Sequence, residues 1–376
     1  MSSPHLRQAK ARVGSKAGKY TLDRLIDVGG MAAVYAGHHW TKKVAVKILH
    51  TTYMRSAEAR QRFAREGYAA NRIEHEDVVE VLDDGHIEDG NPFFVMELLD
   101  GWSLEQRLGR EPAPIPEEAW WIADCVLDVL AVAHAENVIH RDLKPGNIFL
   151  TSEDRVKVLD FGLARLRDDD GSGRMTQTGT VIGTAHYMSP EQALRKPDLI
   201  DARSDLWSVG AIMWRMLCGR TVHDAHTTGA ALIAAATKRA RPILAVAPEV
   251  PEPVAAVIDR ALAFDKRNRF DDAVSMRAAL QKAFVDGVGP ESVPRPSQSA
   301  RSSGPPSSVP ISVDEGPVNV RYDSTAEGDS ILVTFEDEAG QSERVELRRR
   351  PSQPGMPIVD LDYEVVTEAD DPSSED

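Results

Sequence analysis

Short stretches of alternating apolar and polar residues fill the first part of the chain. Alternation with a period of two predicts β-strands, whereas apolar residues three and four apart predict amphipathic helices. The strands predicted in this way span 20–25, 33–38, 43–49, 78–82 and 93–96, and a helix is predicted at 56–72. The second and third strands are expected to pair as a hairpin around Trp40 and Thr41.

Beyond Ser103 the spacing of apolar residues becomes helical. A long amphipathic helix is predicted at 116–137, and the strongly apolar stretch 206–218 predicts a buried helix. Further helices are predicted at 230–237, 253–263 and 272–284. The pattern therefore indicates an α+β protein, in which a small strand-rich N-terminal part joins a larger helical part near residue 100.

The C-terminal part of the chain has a different character. Residues 287–310 are rich in Pro, Ser and Gly and are expected to form a flexible linker. Alternating stretches at 318–322, 331–335 and 344–347 predict a small antiparallel meander, close to the lower limit of independent stability. The segment 367–376 has the composition of a disordered end. A docking module, a substrate-recruiting arm, a pseudosubstrate and a tethered extension are all open roles for this region.

Charge is unevenly distributed over the 376 residues, whose formal net charge is −15. Residues 1–19 carry five basic and no acidic side chains, which indicates a solvated arm or, as the alternative, a contact with anionic lipid. From residue 311 onward there are 18 acidic and 5 basic residues. Because nucleic-acid binding needs basic surface to replace phosphate counterions, this balance argues against a nucleic-acid partner.

Cysteine usage and hydropathy narrow the class of protein further. Cys125 and Cys218 lie far apart in apolar, helix-like stretches, so neither a disulfide framework nor a zinc site is expected. No apolar run approaches the roughly 18–20 residues that span a bilayer, and the N-terminus lacks the apolar core of a secretory signal. These features predict a cytoplasmic protein without a membrane span.

A run of small residues lies between the first two predicted strands. It reads Asp27, Val28, Gly29, Gly30, Met31, Ala32, Ala33 and Val34. A turn of small residues lets backbone N–H groups approach phosphate oxygens, although a tight β-hairpin explains the same pattern. On the next strand, Lys47 follows Val44, Ala45 and Val46. It is either a lysine at the edge of a strand or one held over phosphates, with Glu66 as its candidate partner.

The segment 140–147 reads His-Arg-Asp-Leu-Lys-Pro-Gly-Asn, and an apolar strand ending in Asp160, Phe161 and Gly162 follows it. Asn147 and Asp160 supply the hard oxygen ligands that magnesium prefers. Asp142 can accept or orient a hydroxyl proton, and Lys144 can neutralise charge on a phosphoryl group. A capped turn followed by an ordinary β-turn would not require this ordered set.

In this order the motifs resemble the eukaryotic-type (Hanks-type) protein kinase family, and specifically its bacterial serine/threonine branch. The resemblance covers about 20–284 and implies a two-lobed kinase fold. The expected organisation is a basic N-terminal arm, a kinase domain with a small and a large lobe, a linker and an acidic extension. Their expected bounds are 1–19, 20–286 (lobes about 20–98 and 99–286), 287–310 and 311–376.

The resemblance also implies roles for single residues. Lys47 would pair with Glu66 and contact the α- and β-phosphates of ATP. Asp142 would position the substrate hydroxyl, and the pair Lys144 and Thr184 resembles serine/threonine rather than tyrosine kinases. The implied reaction is transfer of the γ-phosphoryl group of ATP to Ser or Thr hydroxyls of other proteins and of the kinase itself.

The nucleotide and metal sites follow from the same resemblance. Asn147 and Asp160 would hold Mg²⁺ or Mn²⁺. Met96 resembles the gatekeeper behind the adenine, and Glu97 and Leu99 would offer backbone hydrogen bonds to the adenine edge. The remaining residues expected around ATP are Asp27, Val28, Gly29, Gly30, Val34 and Ala45.

Features of the larger helical part extend the resemblance. The segment 183–191 resembles the substrate-docking end of the activation segment, and 205–210 resembles the start of a buried anchoring helix. Arg269 stands where the family keeps the arginine that pairs with Glu191. In such kinases the arginine equivalent to Arg141 pairs with a phosphate on the activation segment.

Regulation by phosphorylation is therefore expected. The activation segment contains Thr176, Thr178 and Thr180, of which the first two align best with autophosphorylated positions of similar bacterial kinases. We predict phosphorylation at Thr176 or Thr178. Self-association for trans-autophosphorylation is a further hypothesis.

Three positions depart from the family pattern. Asp27 replaces the first glycine of the loop, Ala32 replaces the third, and Lys266 replaces a common proline before Arg269. A carboxylate near an anionic ligand is expected to weaken ATP binding. One alternative is therefore a pseudokinase that acts as a binding module. Another is a small-molecule kinase, although those lack the long segment that ends here in Ser189, Pro190 and Glu191.

Overall fold

The computed structural model describes residues 4–110, 114–161, 185–225, 227–288, 319–324, 330–336, 342–349 and 363–366. The chain divides into two units. The first comprises Met1–Leu166 with Pro290–Val313, and the second comprises Arg167–Gly289 with Asp314–Asp376. Within the described residues, no helix is long and apolar enough to cross a membrane.

An antiparallel sheet of six strands dominates the first unit. Its order is β1-β2-β3-β4-β6-β5. The strands are β1 (Lys16–Ala17), β2 (Tyr20–Val28), β3 (Ala32–His39), β4 (Lys42–Leu49), β5 (Val81–His86) and β6 (Pro92–Glu97). The predicted hairpin between β3 and β4 is confirmed, with His39 paired to Lys42. Strand β4 is central, and its buried β-branched residues Val44, Val46 and Ile48 fit a pleated core strand.

The prediction of a strand at 78–82 is wrong in its bounds, because β5 begins at Val81. Val78 and Val79 instead lie beside Val158. Val78 forms an isolated parallel bridge with it, and the N–H of Val79 donates to the carbonyl of Val158 at 3.2 Å. Tertiary pairing with a distant segment therefore replaces the local strand pattern.

The N-terminal arm, 1–19, differs from the solvated segment expected from its charge. Helix α1 (Pro4–Ala11) packs on the sheet, and Lys16–Ala17 adds β1 to its edge. Ala9 is 1% exposed and Arg12 is 8% exposed. The hydroxyl of Tyr35 donates to the carbonyl of Ala9 at 3.1 Å. The prediction of a solvated arm is therefore wrong, because the buried small residues between the basic ones bind the helix to the sheet.

Three helices and a small sheet complete the main elements of the first unit. They are α2 (Ala57–Ala70), α3 (Leu104–Leu108), α4 (Pro116–Ala135) and the three-stranded sheet β7 (Gly101–Ser103), β8 (Ile148–Thr151) and β9 (Val156–Val158). The Ser56 side chain caps α2, and a capping box of Ser103 and Gln106 starts α3. Gly101 has φ +142, and a Cβ atom there would lie 2.1 Å from the carbonyl oxygen of Leu150. Only glycine therefore permits this pairing of β7 with β8.

Helices make up most of the second unit. They are α5 (Pro190–Ala193), α6 (Ala202–Cys218), α7 (Thr228–Thr237), α8 (Glu252–Ala261) and α9 (Ala273–Val288). Asp201 caps the start of α6, and Gly219 ends it in the left-handed conformation. Twelve of the seventeen residues of α6 are buried, as its apolar sequence predicts. Helix α9 continues to Val288, so the predicted linker 287–310 begins two residues inside a helix, and 289–310 lies outside the described residues.

A third antiparallel sheet, of four strands, contains the last described residues of the chain. It has the order β10 (Asn319–Ser324), β11 (Ser330–Glu336), β12 (Ser342–Arg349) and β13 (Tyr363–Val366). The predicted meander is confirmed, and β13 is a fourth strand that the sequence did not predict. Val333 and Leu347 are 2% and 1% exposed within an apolar cluster that includes Leu232 of α7. The predicted disordered end, 367–376, lies outside the described residues.

Candidate active site

The hairpin of β8 and β9 brings together two residues that the sequence separates. Asn147 precedes β8 and Asp160 follows β9, and the strands pair with Ile148 opposite Val158. The N–H of Leu159 donates to the carbonyl of Asn147 at 2.8 Å, which extends this pairing by one step. Antiparallel pairing therefore places both predicted metal ligands at the same end of one hairpin.

The loop before β8 gathers the predicted catalytic side chains. The Nζ of Lys144 lies 3.3 Å from the Oδ2 of Asp142. The Nδ2 of Asn147 donates to the backbone carbonyl of Asp142 at 2.8 Å and lies 3.4 Å from its Oδ2. Asp142 is 6% exposed. Its carboxylate is therefore held in a fixed orientation at the surface of the site.

His140 fixes the backbone of this loop. It is fully buried, and its Nε2 donates to the carbonyl of Leu159 at 2.9 Å. The N–H of Asp142 lies 3.3 Å from its Nδ1, and the ring of Phe161 packs on it at 4.7 Å. The sequence included His140 in the motif without a role, and the structure shows that it joins the Asp142 loop to the segment before Asp160.

Lys47 reaches the site from the central strand β4. Its side chain is 10% exposed, and its Nζ lies 2.8 Å from the Oδ1 of Asp160. The ring of Phe94 lies 5.6 Å from the same ammonium group. The predicted partner Glu66 is on α2, but its side chain lies outside the part of the structure that is described.

The small-residue loop connects β2 and β3. The N–H of Gly29 donates to the carbonyl of Ala32 at 2.9 Å, which closes the turn. A Cβ atom added at Gly29 would meet only the Ala32 oxygen, at 3.5 Å, an ordinary contact. The fold itself therefore tolerates a side chain at this position. Packing within the described residues therefore does not require glycine here.

Asp27 stands at the start of this loop, and its carboxylate accepts a hydrogen bond from the N–H of Val28 at 2.8 Å. Although the residue keeps contact with solvent, surrounding protein atoms desolvate the carboxylate and raise its pKa. The charge of Asp160 raises the pKa further, whereas the Val28 hydrogen bond and the charges of Lys47 and Lys144 oppose the rise. Asp27 therefore shares the electrostatic environment of the predicted phosphate site.

The end of β6 and the segment that follows it contain the residues predicted to face adenine. Met96 is 9% exposed, while Glu97 and Leu99 are partly exposed. The N–H of Glu97 donates to the carbonyl of Glu80 at 3.1 Å, so at most its carbonyl could serve a base. The Glu97 side chain lies 2.5 Å from the Nζ of Lys157 on β9. This pair ties the segment to the strand that precedes Asp160.

The sequence analysis did not single out Lys157, although one signal was present. It is the polar residue of the Val-Lys-Val strand, and Val156 and Val158 on either side are buried. Alternation alone would place it in solvent, and only the fold shows that it meets Glu97.

In the second unit, Glu191 and Arg269 form the predicted ion pair. Both side chains are fully buried, with Nη1–Oε1 and Nη2–Oε2 distances of 2.7 and 2.9 Å. Burial opposes ionisation of Glu191, but the charge and hydrogen bonds of Arg269 and the hydroxyl of Ser204 outweigh it and lower the pKa of that carboxyl. The guanidinium also donates to the carbonyls of Ala263, Arg203 and Phe264.

Comparison with known proteins identifies the family. A model described as the protein kinase domain matches residues 20–285 of the chain. This chain belongs to the protein kinase family. The antiparallel sheet of the first unit and the helices of the second are the small-lobe and large-lobe elements of the kinase fold, which confirms the predicted fold class.

Relatives place this kinase in the bacterial Hanks-type serine/threonine group. Serine/threonine-protein kinase Pkn1 of Myxococcus xanthus is 38% identical over 284 residues, which cover 73% of this chain and 40% of that protein. Serine/threonine-protein kinase PrkC of Bacillus subtilis is 33% identical over 274 residues, which cover 71% of this chain and 41% of that protein. This chain therefore spans about 40% of the length of these relatives.

Solved structures agree with the kinase fold. The crystal structure of the Mycobacterium tuberculosis PknI kinase domain is 26% identical and has a TM-score of 0.56. The match covers 72% of this chain and 98% of the PknI chain. The family match begins at residue 20, so α1 and β1 of this kinase lie before it.

The donor set of this kinase fits a divalent cation. The NH₂ of Asn147 donates to the Asp142 carbonyl, so the amide presents its oxygen on the other side. Asp160 adds a carboxylate that is 26% exposed. Carboxylate and amide oxygens suit Mg²⁺ and Mn²⁺, which prefer hard ligands. Asn147 and Asp160 can therefore hold the metal that kinases use.

Several predicted kinase residues belong to the activation segment. Gly162, Thr176, Thr178 and Thr184 fall in 162–184, outside the described residues. Their predicted roles stay predictions. The described residues resume at Ala185, and the buried pair of Glu191 and Arg269 fixes the chain shortly after it.

Proposed function

We propose that this chain is a serine/threonine protein kinase that transfers the γ-phosphoryl group of Mg-ATP to hydroxyls of protein substrates. The proposal rests on one observation. Two sets of contacts lie at the same end of the β8–β9 hairpin: Lys47 with Asp160, and Lys144 and Asn147 with Asp142. The hydrogen bond from the N–H of Leu159 to the carbonyl of Asn147 joins the two sets through the backbone. Positioning and electrostatics by such groups account for most of kinase catalysis.

Each residue has a distinct task in this reaction. Asp142 orients the acceptor hydroxyl and takes its proton as the oxygen attacks phosphorus. Lys144, 3.3 Å from that carboxylate, neutralises charge on the moving group. Lys47 orients the α- and β-phosphates, and Asn147 and Asp160 hold the divalent cation. Mg²⁺ held by Asn147 and Asp160 would offset the negative charge that develops on the phosphates.

A phosphate-transfer assay tests the proposal. Purified protein is given labelled ATP, Mg²⁺ or Mn²⁺, and a generic protein acceptor. Asp142→Asn is expected to lower the rate by about 10²–10⁴-fold, since it removes the proton acceptor. Asp89→Asn, a change of the same chemistry at an exposed turn, serves as the control and is expected to keep the wild-type rate.

Two outcomes would contradict the proposal in different ways. A wild type that binds ATP but never transfers phosphate would support the pseudokinase alternative, which Asp27 favours. A wild-type rate in the Asp142→Asn variant would show that another group is the base. Phosphoamino-acid analysis of the acceptor distinguishes Ser and Thr from Tyr.

We further propose autophosphorylation at Thr176 or Thr178. Arg141, which precedes the catalytic Asp142, supports it, because such an arginine can pair with a phosphate on the activation segment. Mass spectrometry after incubation with Mg-ATP is expected to find phosphate on these threonines and none in Asp142→Asn. Replacing both by Ala is expected to remove much of the activity. An unmodified segment in active wild type would contradict this.

Self-association is proposed as the route of this modification. If one molecule phosphorylates another, the rate per molecule rises with protein concentration. A rate per molecule that is constant over a hundredfold dilution would show modification within one molecule. A cytoplasmic location and the lack of a nucleic-acid partner rest on composition alone and stay predictions, which cell fractionation and binding assays test.

A further inference from the structure

His50 contacts both ends of the small-residue loop. It directly follows β4 and is 1% exposed. Its backbone N–H donates to the carbonyl of Met31 at 2.8 Å, and its Nε2 lies 2.9 Å from the carbonyl oxygen of Gly29. A carbonyl oxygen only accepts hydrogen bonds, so the ring proton is on Nε2. One residue therefore holds two carbonyls of the loop whose N–H groups would face phosphate.

The ring of His50 is suited to this contact at neutral pH. Burial lowers its pKa to about 4, although its hydrogen bond to Gly29 opposes the shift. The ring is therefore neutral and has one N–H, which it donates to Gly29. The Gly29 N–H in turn donates to Ala32. The hydrogen bond from Gly29 to Ala32 thus closes the turn, and the His50 ring holds the turn through the Gly29 carbonyl.

Helix α1 supports the other face of this ring. The rings of His5 and His50 stack with centroids 4.4 Å apart and an interplanar angle of 18°. The helix is fixed by Gln8, whose Nε2 donates to the hydroxyl of Thr51 at 2.6 Å. Tyr35 adds its hydrogen bond to the Ala9 carbonyl. Helix α1, which lies before the residues matched by the protein kinase model, thus contacts His50, the residue that anchors the small-residue loop.

We propose that His50, backed by His5 of α1, is a positioning residue for the phosphate-binding loop. This role of His50 rests on the proposed function, because it requires that the small-residue loop binds the phosphates of ATP. His50 acts through Gly29 and touches no substrate. Without it, the loop populates other conformations, and the apparent affinity falls by the fraction of molecules in the competent one.

Phosphate and adenine contacts can be separated by the choice of ligand. ATP engages both the loop and the segment after β6, whereas adenosine has no phosphates for the loop. Loss of the His50 anchor is therefore expected to weaken ATP binding while adenosine binding stays the same. A general loosening of the sheet would weaken both ligands. This contrast distinguishes positioning from a purely structural role.

The experiment uses the full chain and two variants of His50. His50→Phe keeps a ring that can stack on His5 but lacks the N–H, and is expected to raise KM for ATP about fivefold, the effect of one lost hydrogen bond. Its kcat is expected to stay within about twofold. His50→Gln retains an N–H donor and is expected to recover part of the affinity. His5→Ala is expected to raise KM for ATP about twofold through the lost stacking.

Tyr20→Phe is the matched control. It also removes one side-chain hydrogen bond of the sheet, from Tyr20 to Asp83 at 2.8 Å, but the loop is not involved. It is expected to leave KM for ATP unchanged. The inference is overturned if His50→Phe has the wild-type affinity for ATP, or if ATP and adenosine weaken equally. Affinities are measured beside rates, so a wild type that binds ATP without transferring phosphate overturns the proposed function and still tests the anchor.

Discussion

Single charges set the electrostatic character of the nucleotide site. The ammonium group of Lys47 lies 2.8 Å from the carboxylate of Asp160. The ammonium group of Lys144 lies 3.3 Å from the carboxylate of Asp142. Asp27 adds a negative charge where the family has glycine. Its raised pKa shows that the site disfavours the ionised form. A bound polyphosphate would disfavour it further, so Asp27 is the residue at which affinity for ATP can be improved.

Replacing Asp27 is expected to strengthen ATP binding. Asp27→Asn keeps the side-chain shape and removes the charge, and we expect KM for ATP to fall about threefold, a modest effect because the group is partly solvated. The advantage should shrink as pH is lowered, since the raised pKa of wild-type Asp27 then brings it to the neutral form. Steady-state kinetics over a pH series measures both effects. An equal or higher KM in Asp27→Asn would show that the carboxylate faces away from the nucleotide.

His50 makes stability depend on pH in acid. Its pKa falls from 6.5 to about 4 on folding, so the unfolded chain takes up the proton first. The contribution of the neutral ring is complete above pH 6.5 and is lost as pH falls, by about 3 kcal/mol at pH 4. Denaturant unfolding of wild type and His50→Phe from pH 7 to 4 measures it. Equal declines in the two proteins would contradict the assignment.

At the scale of elements, buried polar contacts join segments that local sequence does not connect. The pair Glu191–Arg269 joins α5 to the turn before α9, and Ser204 links it to α6. A buried charge that loses its partner is far more costly than a surface ion pair. The buried ion pair therefore holds these elements in a fixed arrangement.

Removing the Glu191–Arg269 ion pair is expected to destabilise the second unit. Arg269→Ala leaves the Glu191 carboxylate buried without its counter-charge and should lower the free energy of unfolding by about 3–5 kcal/mol. Arg267→Ala is the control, because its pair with Asp265 is 55% exposed on the arginine side and should cost less than about 1 kcal/mol. Denaturant titration compares them. Similar losses for both variants would contradict the special role of the buried pair.

Helix α7 shows how an element can require a distant partner. Its sequence, Thr-Gly-Ala-Ala-Leu-Ile-Ala-Ala-Ala-Thr, has no charged residue. The buried positions Thr228, Ala231, Leu232, Ala234, Ala235 and Ala236 cover about 200° of its circumference at 100° per residue. One packed face usually needs a stripe of about 100°. The helix is therefore packed on two sides, and the C-terminal sheet belongs to this packing.

For the molecule as a whole, this packing makes the described strands of the acidic extension, β10–β13, part of the second unit. The four-stranded sheet can remain folded because Val333 of β11 and Leu347 of β12 join the apolar cluster of α7 and Phe264. The meander expected to be marginal by itself thus gains its stability from the helix that it covers. In return, the sheet shields apolar surface of α7 from water.

Weakening the sheet is therefore expected to weaken α7 as well. Leu347→Ala removes a side chain that is 1% exposed and should lower the local free energy of opening by about 2–5 kcal/mol. Hydrogen exchange should accelerate both in β12 and in α7. Arg344→Ala, at an exposed position of the same strand, is the control and should change little. Faster exchange in the sheet alone would show that α7 does not depend on it.

The sequence by itself determined most elements and the residues of the site. Period-two and helical spacing predicted β2, β3, β4 and the main helices, because these patterns arise from burial of one face of each element. Ordered motifs predicted Lys47, Asp142, Asn147 and Asp160, because the chemistry requires these side chains in this order. Such information is local or depends on residue type alone.

Only the tertiary structure decided which distant groups meet. Lys47 reaches Asp160 across 113 positions, His50 takes its ring partner from α1, and Glu97 meets Lys157 on another strand. Tertiary packing also places helix α1 of the basic arm on the first sheet and the C-terminal sheet on α7. Side-chain patterns report which face of an element is buried but not what covers it, because that partner is selected by the packing of the folded chain.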